Sequence, residues 1–229
     1  MLSIIVPALD EAAGIVDHVA GLQPLRQRGA EVILADGGSS DGTAELVSSR
    51  VDAVVIAPRG RARQMNAGAA RARGDVLLFL HADTRLPPAA DALVQRVLAA
   101  GAPVWGRFDV AIAGRHPLLP VVAWCMNRRS RLTGIATGDQ ALFVRRDVFD
   151  GVGGFPDIPL MEDIALSRRL KRAGRPLCLR ERAVTSGRRW ESRGVLRVVV
   201  LMWRLRLAYC LGGDPVRLAA AYGDGARIR

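Results

Sequence analysis

A short apolar run that ends on two polar side chains constrains the fold more than any other stretch of this chain. Residues Val76 to Leu80 are all hydrophobic, which is typical of a strand buried on both faces of a parallel sheet. His81 and Asp83 follow at once, and side chains at alternate positions can face one ligand or metal ion. In open α/β sheets, ligands bind at the carboxyl ends of the strands. A strand that simply ends in a polar turn explains this stretch equally well.

The first 80 residues alternate between apolar strands and helical segments. Predicted strands cover residues 2–9, 31–36, 53–57 and 76–80. Predicted helices lie between them at residues 12–27, 43–49 and 60–74. This alternation indicates an α/β fold with a mostly parallel central sheet, flanking helices and right-handed crossovers. The length of 229 residues and the hydrophobic content of 50% suit one domain with one sizeable core.

The second half of the chain departs from this alternation. Helices are predicted at residues 88–100, 116–132 and 161–173. Strands are predicted at residues 104–112 and after the turn at 138–140, and residues 151–156 are predicted to form a loop. Neither an internal repeat nor a low-complexity linker separates the two halves, so both are expected to share one core.

Residues 195–211 predict a C-terminal helix that is both apolar and basic. Arg197, Arg204 and Arg206 make it too charged for a comfortable membrane span. Trp203 beside these arginines is typical of a helix that lies in a membrane interface. A helix packed on the domain, with its arginines reaching outward, explains the pattern equally well.

The net charge of +11 is almost all arginine, since Lys171 is the only lysine. Compositional bias accounts for most of this surplus, although the planar arginine fork also suits phosphate and other oxyanions. No nucleic-acid partner is expected, because aromatic residues make up only 5% and no basic stripe is interleaved with them.

Cysteine use and the first residues predict the compartment. Cys125, Cys178 and Cys210 are isolated and form no Cys-x-x-Cys pair, which argues against a zinc site or a disulfide framework. We expect buried or free thiols in a reducing compartment. The apolar run at the amino terminus is short and lacks a basic segment, so no signal peptide is predicted. The expected location is therefore cytoplasmic.

Carboxylates stand at the ends of three predicted strands. Asp10 and Glu11 follow the first, Asp36 ends the second and Asp83 follows the fourth. One such residue is usually structural, but three at one sheet edge suggest a site. Oxygen ligands suit Mg²⁺ or Mn²⁺, which commonly bridge to substrate phosphates. The dinucleotide fingerprint Gly-x-Gly-x-x-Gly is absent after the first strand, and so is a Walker A motif.

Four motifs in order resemble the family-2 glycosyltransferases with the GT-A fold. They lie at residues 3–11, 36–43, 81–83 and 162–163. Each is modest alone, but the ordered set is specific. The chain also resembles a small bacterial branch of this family. The residues that carry this resemblance are the motif His-Ala-Asp-Thr-Arg-Leu-Pro at 81–87, Gly138-Asp139-Gln140 and Arg188-Arg189-Trp190-Glu191. That branch is associated with radical-SAM/selenodomain proteins and arsenosugar biosynthesis.

The resemblance implies a nucleoside-diphosphate-sugar donor, such as a UDP-sugar, and an acceptor hydroxyl. It implies a GT-A domain over residues 1–190, with a nucleotide-binding half at 1–84 and an acceptor half at 85–190, and a helical extension at 191–229. Pro7 and Glu11 would line the nucleotide pocket, and Asp36 would bind the base. The residues implied near the donor are Pro7, Glu11, Asp36, Arg61, Gln64, Asn66 and His81.

The resemblance also implies a divalent metal ion, Mg²⁺ or Mn²⁺. In the family's Asp-x-Asp motif, Asp83 matches the aspartate that usually ligates the ion. The first carboxylate is replaced by His81, which departs from the pattern and weakens the inference of metal dependence. His81 is compatible with three roles: a ligand, a donor to the nucleotide sugar, or a spacer. We favour a polar contact over direct ligation.

Asp163 matches the Glu-Asp motif whose aspartate is the general base of inverting members. A base is needed because an acceptor hydroxyl is a poor nucleophile until its proton is removed. The alternative is that acidic residues here only cap a helix and meet its dipole. An ordinary solvated patch likewise competes with a role for residues 188–190 at the diphosphate or the acceptor. The residues implied on the acceptor side are Gly138, Asp139, Gln140, Glu162, Arg189 and Trp190.

The sequence thus predicts an inverting, metal-dependent glycosyltransferase that acts on a small-molecule or lipid acceptor. Residues 195–211 also predict a peripheral contact with the inner face of the cell membrane. A nucleotide-sugar-binding protein without turnover is the first alternative, motivated by His81. A sugar-phosphate nucleotidylyltransferase would need a Gly-rich arginine–lysine loop that residues 7–13 do not supply. A membrane scaffold would leave the acids at the strand ends unexplained.

Overall fold

The computed structural model describes residues 1–99, 101 and 103–224. The strands are β1 (Leu2–Ala8), β2 (Glu31–Asp36), β3 (Ala53–Ile56), β4 (Val76–Phe79), β5 (Thr84–Arg85), β6 (Trp105–Ala113), β7 (Phe143–Arg145) and β8 (Leu177–Ser186). The helices are α1 (Ala12–Gln27), α2 (Thr43–Val47), α3 (Arg61–Arg71), α4 (Ala90–Ala99), α5 (Leu119–Thr133), α6 (Arg146–Gly151), α7 (Glu162–Leu170), α8 (Arg188–Arg193), α9 (Val195–Cys210) and α10 (Pro215–Asp224). Short 3₁₀ turns follow α2 and precede β7.

The strands form one eight-stranded sheet in the order β3-β2-β1-β4-β7-β6-β8-β5. Its first four strands are parallel, with Ile5 opposite both Ile33 and Phe79. β7 is antiparallel to both β4 and β6, and β8 is parallel to β6. The predicted fold class, a mostly parallel sheet with flanking helices, is confirmed.

The parallel strands separate two apolar layers because successive side chains point to opposite faces. Ile4 and Val6 pack with α1 and α4, whereas Ile5 and Phe79 pack with α3, α6 and α7. Phe79 and Phe155 meet edge to face, with ring centroids 4.8 Å apart. Each large side chain buried in these layers stabilises the fold by about 1.5–3 kcal/mol.

Pro7 helps to open the sheet where the site forms. The β1–β4 register ends at Ile5 and Phe79, and Leu80 still donates its N–H to the Ile5 carbonyl oxygen at 2.9 Å. Proline has no N–H with which to continue this ladder. The chain therefore leaves the sheet after Leu80, and His81 begins a turn in which the Thr84 N–H donates to its carbonyl oxygen at 3.0 Å.

The second half contains elements that the sequence reading missed. β8 adds a ten-residue strand, and the short β5 pairs with it through Thr84 and Thr185. The predicted loop at residues 151–156 is wrong at its first residue, because α6 extends to Gly151. α5 begins at Leu119 rather than at residue 116. The predicted ends of the α4 helix, at residue 100, and of the C-terminal extension, at residues 225–229, lie outside the described residues.

The C-terminal helices pack against the domain. Val195 and Val198 of α9 are buried, and Val195 joins a cluster with β6 and α5. Leu205 of α9 and Leu218 of α10 pack near the start of α7. Within the residues that the structure covers, no helix is long and apolar enough to cross a membrane.

Candidate active site

A cavity of about 790 Å³ opens at the carboxyl edge of the parallel strands. The turn after β4, the turn before β7 and the first residues of α7 form its polar side. Side chains of α5, α9 and α10 form its apolar side. Four residues predicted from the strand-end, Gly-Asp-Gln and Glu-Asp motifs line it together: His81, Asp83, Asp139 and Asp163.

The 3₁₀ turn at Gly138–Gln140 connects these groups. Gln140 accepts the Thr137 N–H through its side-chain oxygen at 3.2 Å, which fixes the start of the turn. The Gly138 N–H donates to Asp163 Oδ2 at 3.0 Å. A Cβ at Gly138 would lie 2.2 Å from Nε2 of His81, so only glycine permits this close approach.

His81 and Asp139 form the second link across the cavity wall. His81 Nδ1 lies 3.5 Å from Asp139 Oδ1, and the imidazole is only 16% exposed. Burial alone would raise the pKa of Asp139, but the contact with His81 and the positive charges of Arg61 and Arg189 lower it. Asp139 is therefore a stable anion beside the cavity.

Glu162 and Asp163 begin α7 directly after Met161, whose φ of 70° is in the left-handed region. Strained backbone of this kind is concentrated at functional sites. Asp163 lines the cavity, and its Oδ1 accepts the Ile164 N–H at 2.7 Å. It therefore lies in the first helical turn, where its charge meets the positive end of the helix dipole, and it also faces the cavity.

Glu162 lies behind the cavity wall. Its side chain is 3% exposed and its Oε1 is 2.9 Å from Nε of Arg61. Its Oε2 is buried with no hydrogen-bond partner among the described residues. Burial raises the pKa of Glu162, and the negative charge of Asp163 raises it further, against the opposing effect of Arg61. The ionised form of Glu162 is thus destabilised in the folded protein.

The carboxylates predicted on the donor side are Glu11, Asp36 and Asp83. Burial raises the pKa of Glu11, and the negative charge of Asp83 raises it further. Asp83 accepts a long hydrogen bond from the Thr84 hydroxyl at 3.3 Å. Asp36 is 2% exposed, and its Oδ2 accepts the N–H groups of Gly38 and Ser39 at 2.9 Å each. Asp36 thereby shapes the turn after β2.

Other predicted donor residues are engaged by backbone groups. Gln64 is buried and donates to the carbonyl oxygens of Ala8 and Ala35 at 2.6 and 3.0 Å. Asn66 donates to the Phe155 carbonyl oxygen at 2.8 Å. Several predicted residues do not line the cavity: Pro7, Glu11, Asp36, Gln64, Asn66, Gln140 and Glu162.

The residues present suit a metal ion that is shared with a substrate. No group of three or more His, Cys, Asp or Glu residues is arranged to hold a metal within residues 1–99, 101 and 103–224. Mg²⁺ ordinarily binds to one or two carboxylates and completes its shell with substrate phosphates and water. Asp83 lines the cavity and interacts electrostatically with Glu11, so these two carboxylates would suit such an ion.

The sequence profile of the family described as glycosyl transferase family 2 matches residues 3–149. The chain belongs to glycosyl transferase family 2. This match confirms the predicted family, and the arsenosugar-associated branch stays a prediction. No curated protein matches the chain.

Solved structures resemble the fold of this family-2 chain at low identity. S. aureus TarS 1–349, in complex with UDP-GlcNAc, is 16% identical with a TM-score of 0.65, and the match covers 81% of this chain and 58% of that one. Mannosyltransferase PcManGT from Pyrobaculum calidifontis, with GDP-Man and Mn²⁺, is 20% identical with a TM-score of 0.67, covering 99% and 70%. Glucosyl-3-phosphoglycerate synthase from Mycobacterium tuberculosis, with Mn²⁺, UDP and glucosyl-3-phosphoglycerate, is 18% identical with a TM-score of 0.55, covering 81% and 70%. The chain spans between 38% and 70% of the lengths of these three structures and of five further similar ones.

The sequence reading missed several residues of the cavity. Arg129 of α5, Arg206 and Trp203 of α9, and Tyr222 of α10 all line it. The available signal was an arginine that interrupts an apolar helical segment. Arg206 was noted as such a residue. The sequence could not place Arg206 in the cavity, because the polar side of the cavity lies more than 40 positions away along the chain.

Proposed function

We propose that this protein transfers a sugar from a nucleoside-diphosphate-sugar donor to an acceptor hydroxyl with inversion. The observation that supports this proposal best is the meeting of His81, Asp83, Asp139 and Asp163 in one cavity at the carboxyl edge of the sheet. The family membership of residues 3–149 supports the same reaction class. The arsenosugar-associated branch is proposed only from the wording of residues 81–87, 138–140 and 188–191.

Residues 1–84 would bind the nucleotide. Pro7 lies near the end of β1, Glu11 lies between β1 and α1, and the turn that Asp36 organises follows β2, so these residues share one sheet edge. An ionised carboxylate can accept about four hydrogen bonds, which leaves Asp36 able to contact a base as well. Three similar structures contain UDP-GlcNAc, GDP-Man or UDP, and we propose that the donor here has one of these nucleotides.

Asp83 would hold Mg²⁺ or Mn²⁺ together with the donor diphosphate. A bound divalent ion would stabilise the negative charge that develops on the departing diphosphate. Arg61 and Arg189 also line the cavity and would contribute positive charge. The Arg189 guanidinium stacks over the ring of Tyr222 at 5.3 Å and pairs with its hydroxyl, which fixes its direction. His81 would hold Asp139 in place rather than bind the ion.

Asp163 would remove the proton of the acceptor hydroxyl. The Gly138 N–H holds one carboxylate oxygen at 3.0 Å, and the carboxylate faces the cavity. Residues 85–190 would thus form the acceptor half, and α9 from the 191–229 extension would complete it. Positioning and deprotonation together favour in-line attack on the face opposite the leaving group.

A binding screen tests the donor and the metal together. Thermal shift would be measured with UDP, GDP and their sugars, each with Mn²⁺, with Mg²⁺ and without either ion. We expect one nucleotide to raise the melting temperature only when a metal ion is present, and Asp83→Ala to abolish that rise. No shift from any nucleotide would overturn the proposal. Binding without transfer to any acceptor tested would instead indicate a nucleotide-sugar-binding protein.

We further propose that α9 contacts the inner face of the cell membrane and that the acceptor is a lipid or lipid-like molecule. Apolar side chains at helical spacing face solvent, with exposures of 57–79%. They are Leu196, Val200, Trp203, Leu207 and Leu211. Three of them, Val200, Trp203 and Leu207, also line the cavity, so the exposed stripe continues into the site. Arginines on the same helix would attract anionic headgroups.

Vesicle sedimentation tests this membrane contact. Vesicles rich in phosphatidylglycerol should bind the protein more strongly than vesicles of phosphatidylcholine. The double variant Leu196→Ser, Leu211→Ser should weaken binding, while Ile56→Ser, at a site 68% exposed on the far edge strand, should not. Equal binding of all variants would exclude α9 as the contact.

A further inference from the structure

Two cavity arginines lack the partners that a buried arginine needs. Arg129 of α5 and Arg206 of α9 both line the cavity. In the part of the chain that the structure describes, Nε and Nη2 of Arg129 and Nε of Arg206 are buried without a hydrogen-bond partner. An unpaired buried cationic group is strongly unfavourable. These atoms therefore indicate where a ligand would supply the missing acceptors.

Arg107 shows how this fold pairs a structural arginine. Its side chain is fully buried near Arg129, and it donates to Ser130 Oγ and to the Asn127 carbonyl oxygen at 3.1 Å each. It also pairs with Asp109. Arg129 has none of these contacts, although it lies on α5, the helix that Arg107 contacts. The difference separates an arginine that supports the fold from one that is available to a ligand.

The charges around Arg129 belong to the acceptor side of the site. Burial lowers its pKa, Asp163 and Asp139 oppose that effect, and the positive charge of Arg107 adds to it. Both aspartates line the cavity with Arg129. No ion pair within 4.0 Å joins them to it among the described residues, because Asp163 is held by backbone N–H groups and Asp139 by His81.

Apolar side chains adjoin both arginines. Met126 lies one helical turn before Arg129, and Met202 lies one turn before Arg206, so each pair shares a helix face. Met126, Met202 and Trp203 line the same cavity. The pocket thus offers positive charge within an apolar wall, a combination that suits an amphiphile with an anionic group.

We propose that Arg129 and Arg206 bind an anionic group of the acceptor, a phosphate or a carboxylate close to its reacting hydroxyl. The apolar part of the acceptor would lie along α5 and α9. This inference rests on the glycosyl transfer proposed above, and it specifies the acceptor class. Arginine is suited to the role because its fork binds such oxyanions bidentately.

Calorimetric titration with simple amphiphiles tests the subsite. The probes are octyl phosphate, octanoate and octanol, titrated into the full chain and into three variants: Arg129→Met, Arg206→Met and Arg128→Met. Arg128 is the matched control because it is exposed and does not line the cavity. We expect the anionic probes to bind more tightly than octanol. Arg129→Met should weaken them about 10- to 100-fold, and Arg128→Met should leave them unchanged.

UDP and GDP titrated with Mn²⁺ distinguish the acceptor anion from the donor diphosphate. Their affinity should be unchanged in Arg129→Met. An equal loss for nucleotide and octyl phosphate would assign Arg129 to the diphosphate and overturn the proposal. Equal binding of octyl phosphate by wild type and Arg129→Met would also overturn it. If octyl phosphate depends on Arg129 while no nucleotide binds, the anion site stands and the transferase proposal fails.

Arg129→Lys guards against a variant that fails to fold. Lysine keeps the charge but loses the fork, so we expect an intermediate loss of octyl phosphate affinity with an unchanged melting temperature. Wild-type affinity in Arg129→Lys together with wild-type affinity in Arg129→Met would exclude the site.

Discussion

Two buried glutamates, one at the amino end and one at the carboxyl end of the parallel strands, differ in how their carboxylates are hydrogen-bonded. Glu31, at the amino end of β2, and Glu162, beside the cavity, are 2% and 3% exposed, and each meets an arginine nitrogen at 2.9 Å. Glu31 Oε2 also accepts the Ser3 hydroxyl at 2.6 Å and the Arg73 N–H at 2.8 Å. Glu162 Oε2 is buried without a partner in the described residues.

The pKa values of the two carboxyl groups move in opposite directions for this reason. Burial alone would raise the pKa of Glu31, but hydrogen bonds from Arg73 and Ser3 lower it. Burial raises the pKa of Glu162, and its single ion pair with Arg61 does not compensate. The amino edge is built for stability, whereas the carboxyl edge retains unsatisfied groups. Such local violations are expected where a protein binds ligands.

The largest expected effect is at Asp163 on the carboxyl edge. Asp163→Asn removes the proposed base while keeping the shape of the side chain. General-base catalysis is worth roughly 10²–10⁴-fold, so turnover should fall by about that factor while donor binding persists. The measurement is sugar transfer at saturating donor, after the melting temperature has been matched to wild type.

Asp157→Asn is the matched control for that prediction. Asp157 is 62% exposed in an ion pair with Arg63, and surface pairs of this kind contribute little. Its turnover should stay at the wild-type level. Full activity in Asp163→Asn would remove the base assignment and leave that aspartate with only its charge interaction at the start of α7.

Paired substitutions at the two glutamates test the comparison itself. Glu31→Gln places an amide N–H₂ against donors and should lower the unfolding free energy by about 1.5–3 kcal/mol at pH 7. Glu162→Gln removes a destabilised buried charge, so stability should be unchanged or raised by about 1 kcal/mol. Urea denaturation measures both values, and equal losses would refute the contrast between the edges.

The pH dependence of these variants has opposite signs. Because the folded pKa of Glu31 is lowered, its stabilisation is present above the ordinary glutamate pKa of 4.5 and is lost as pH falls through the folded value. The folded pKa of Glu162 is raised, so wild type loses stability as pH rises above 4.5. The cost of Glu31→Gln should therefore shrink in acid, while any gain from Glu162→Gln should shrink there too.

The parallel half of the fold was predictable because its signals are local. Apolar runs and the glycine that follows α1 placed β1, β2, β4 and α1 to within one or two residues. β8 was missed because Arg180, Glu181 and Arg182 face solvent in the middle of the strand. A charged segment like this lacks the alternation of apolar and polar residues that predicts a strand. It is recognisable as a strand only from its pairing with β6 in the structure.

The same distinction applies to the site. Asp83 and Asp163 could be placed because each follows a recognisable motif or strand end. The pairing of Glu162 with Arg61 joins α7 to α3, and Arg129 of α5 lines one cavity with residues of α9 that are distant in the sequence. No local pattern encodes these contacts, since each depends on how distant elements pack.

A smaller effect is expected at Gly138, which lies against the His81 ring and donates its N–H to Asp163. In Gly138→Ala the new Cβ would lie 2.2 Å from the His81 ring, so one of them must move. Displacement of about 1 Å near a reacting centre can reduce turnover about 10- to 100-fold, and we expect a loss near the lower end. Gly21→Ala on α1, where a Cβ meets nothing within 4 Å, is the control and should keep wild-type turnover. Equal turnover in both variants would show that the His81 contact does not position the site.

A prediction with no expected effect on turnover tests whether an unpaired buried group implies function wherever it occurs. His18 Nε2 on α1 is buried without a partner in the described residues, but His18 does not line the cavity. Burial, aided by the positive charge of Arg85, lowers the pKa of His18 from 6.5 to about 4. Between these two pKa values the unfolded chain protonates His18 while the folded chain keeps it neutral. Stability therefore falls as pH decreases from 6.5 towards 4. Between pH 7.5 and 5.5 the loss of stability from His18 is about 1.4 kcal/mol.

His18→Leu should remove this loss, so urea denaturation should show the variant gaining stability relative to wild type by about that amount at pH 5.5, with turnover unchanged. A constant difference at both pH values would mean that His18 is not held neutral, and reduced turnover would mean that unsatisfied groups matter for function beyond the carboxyl edge.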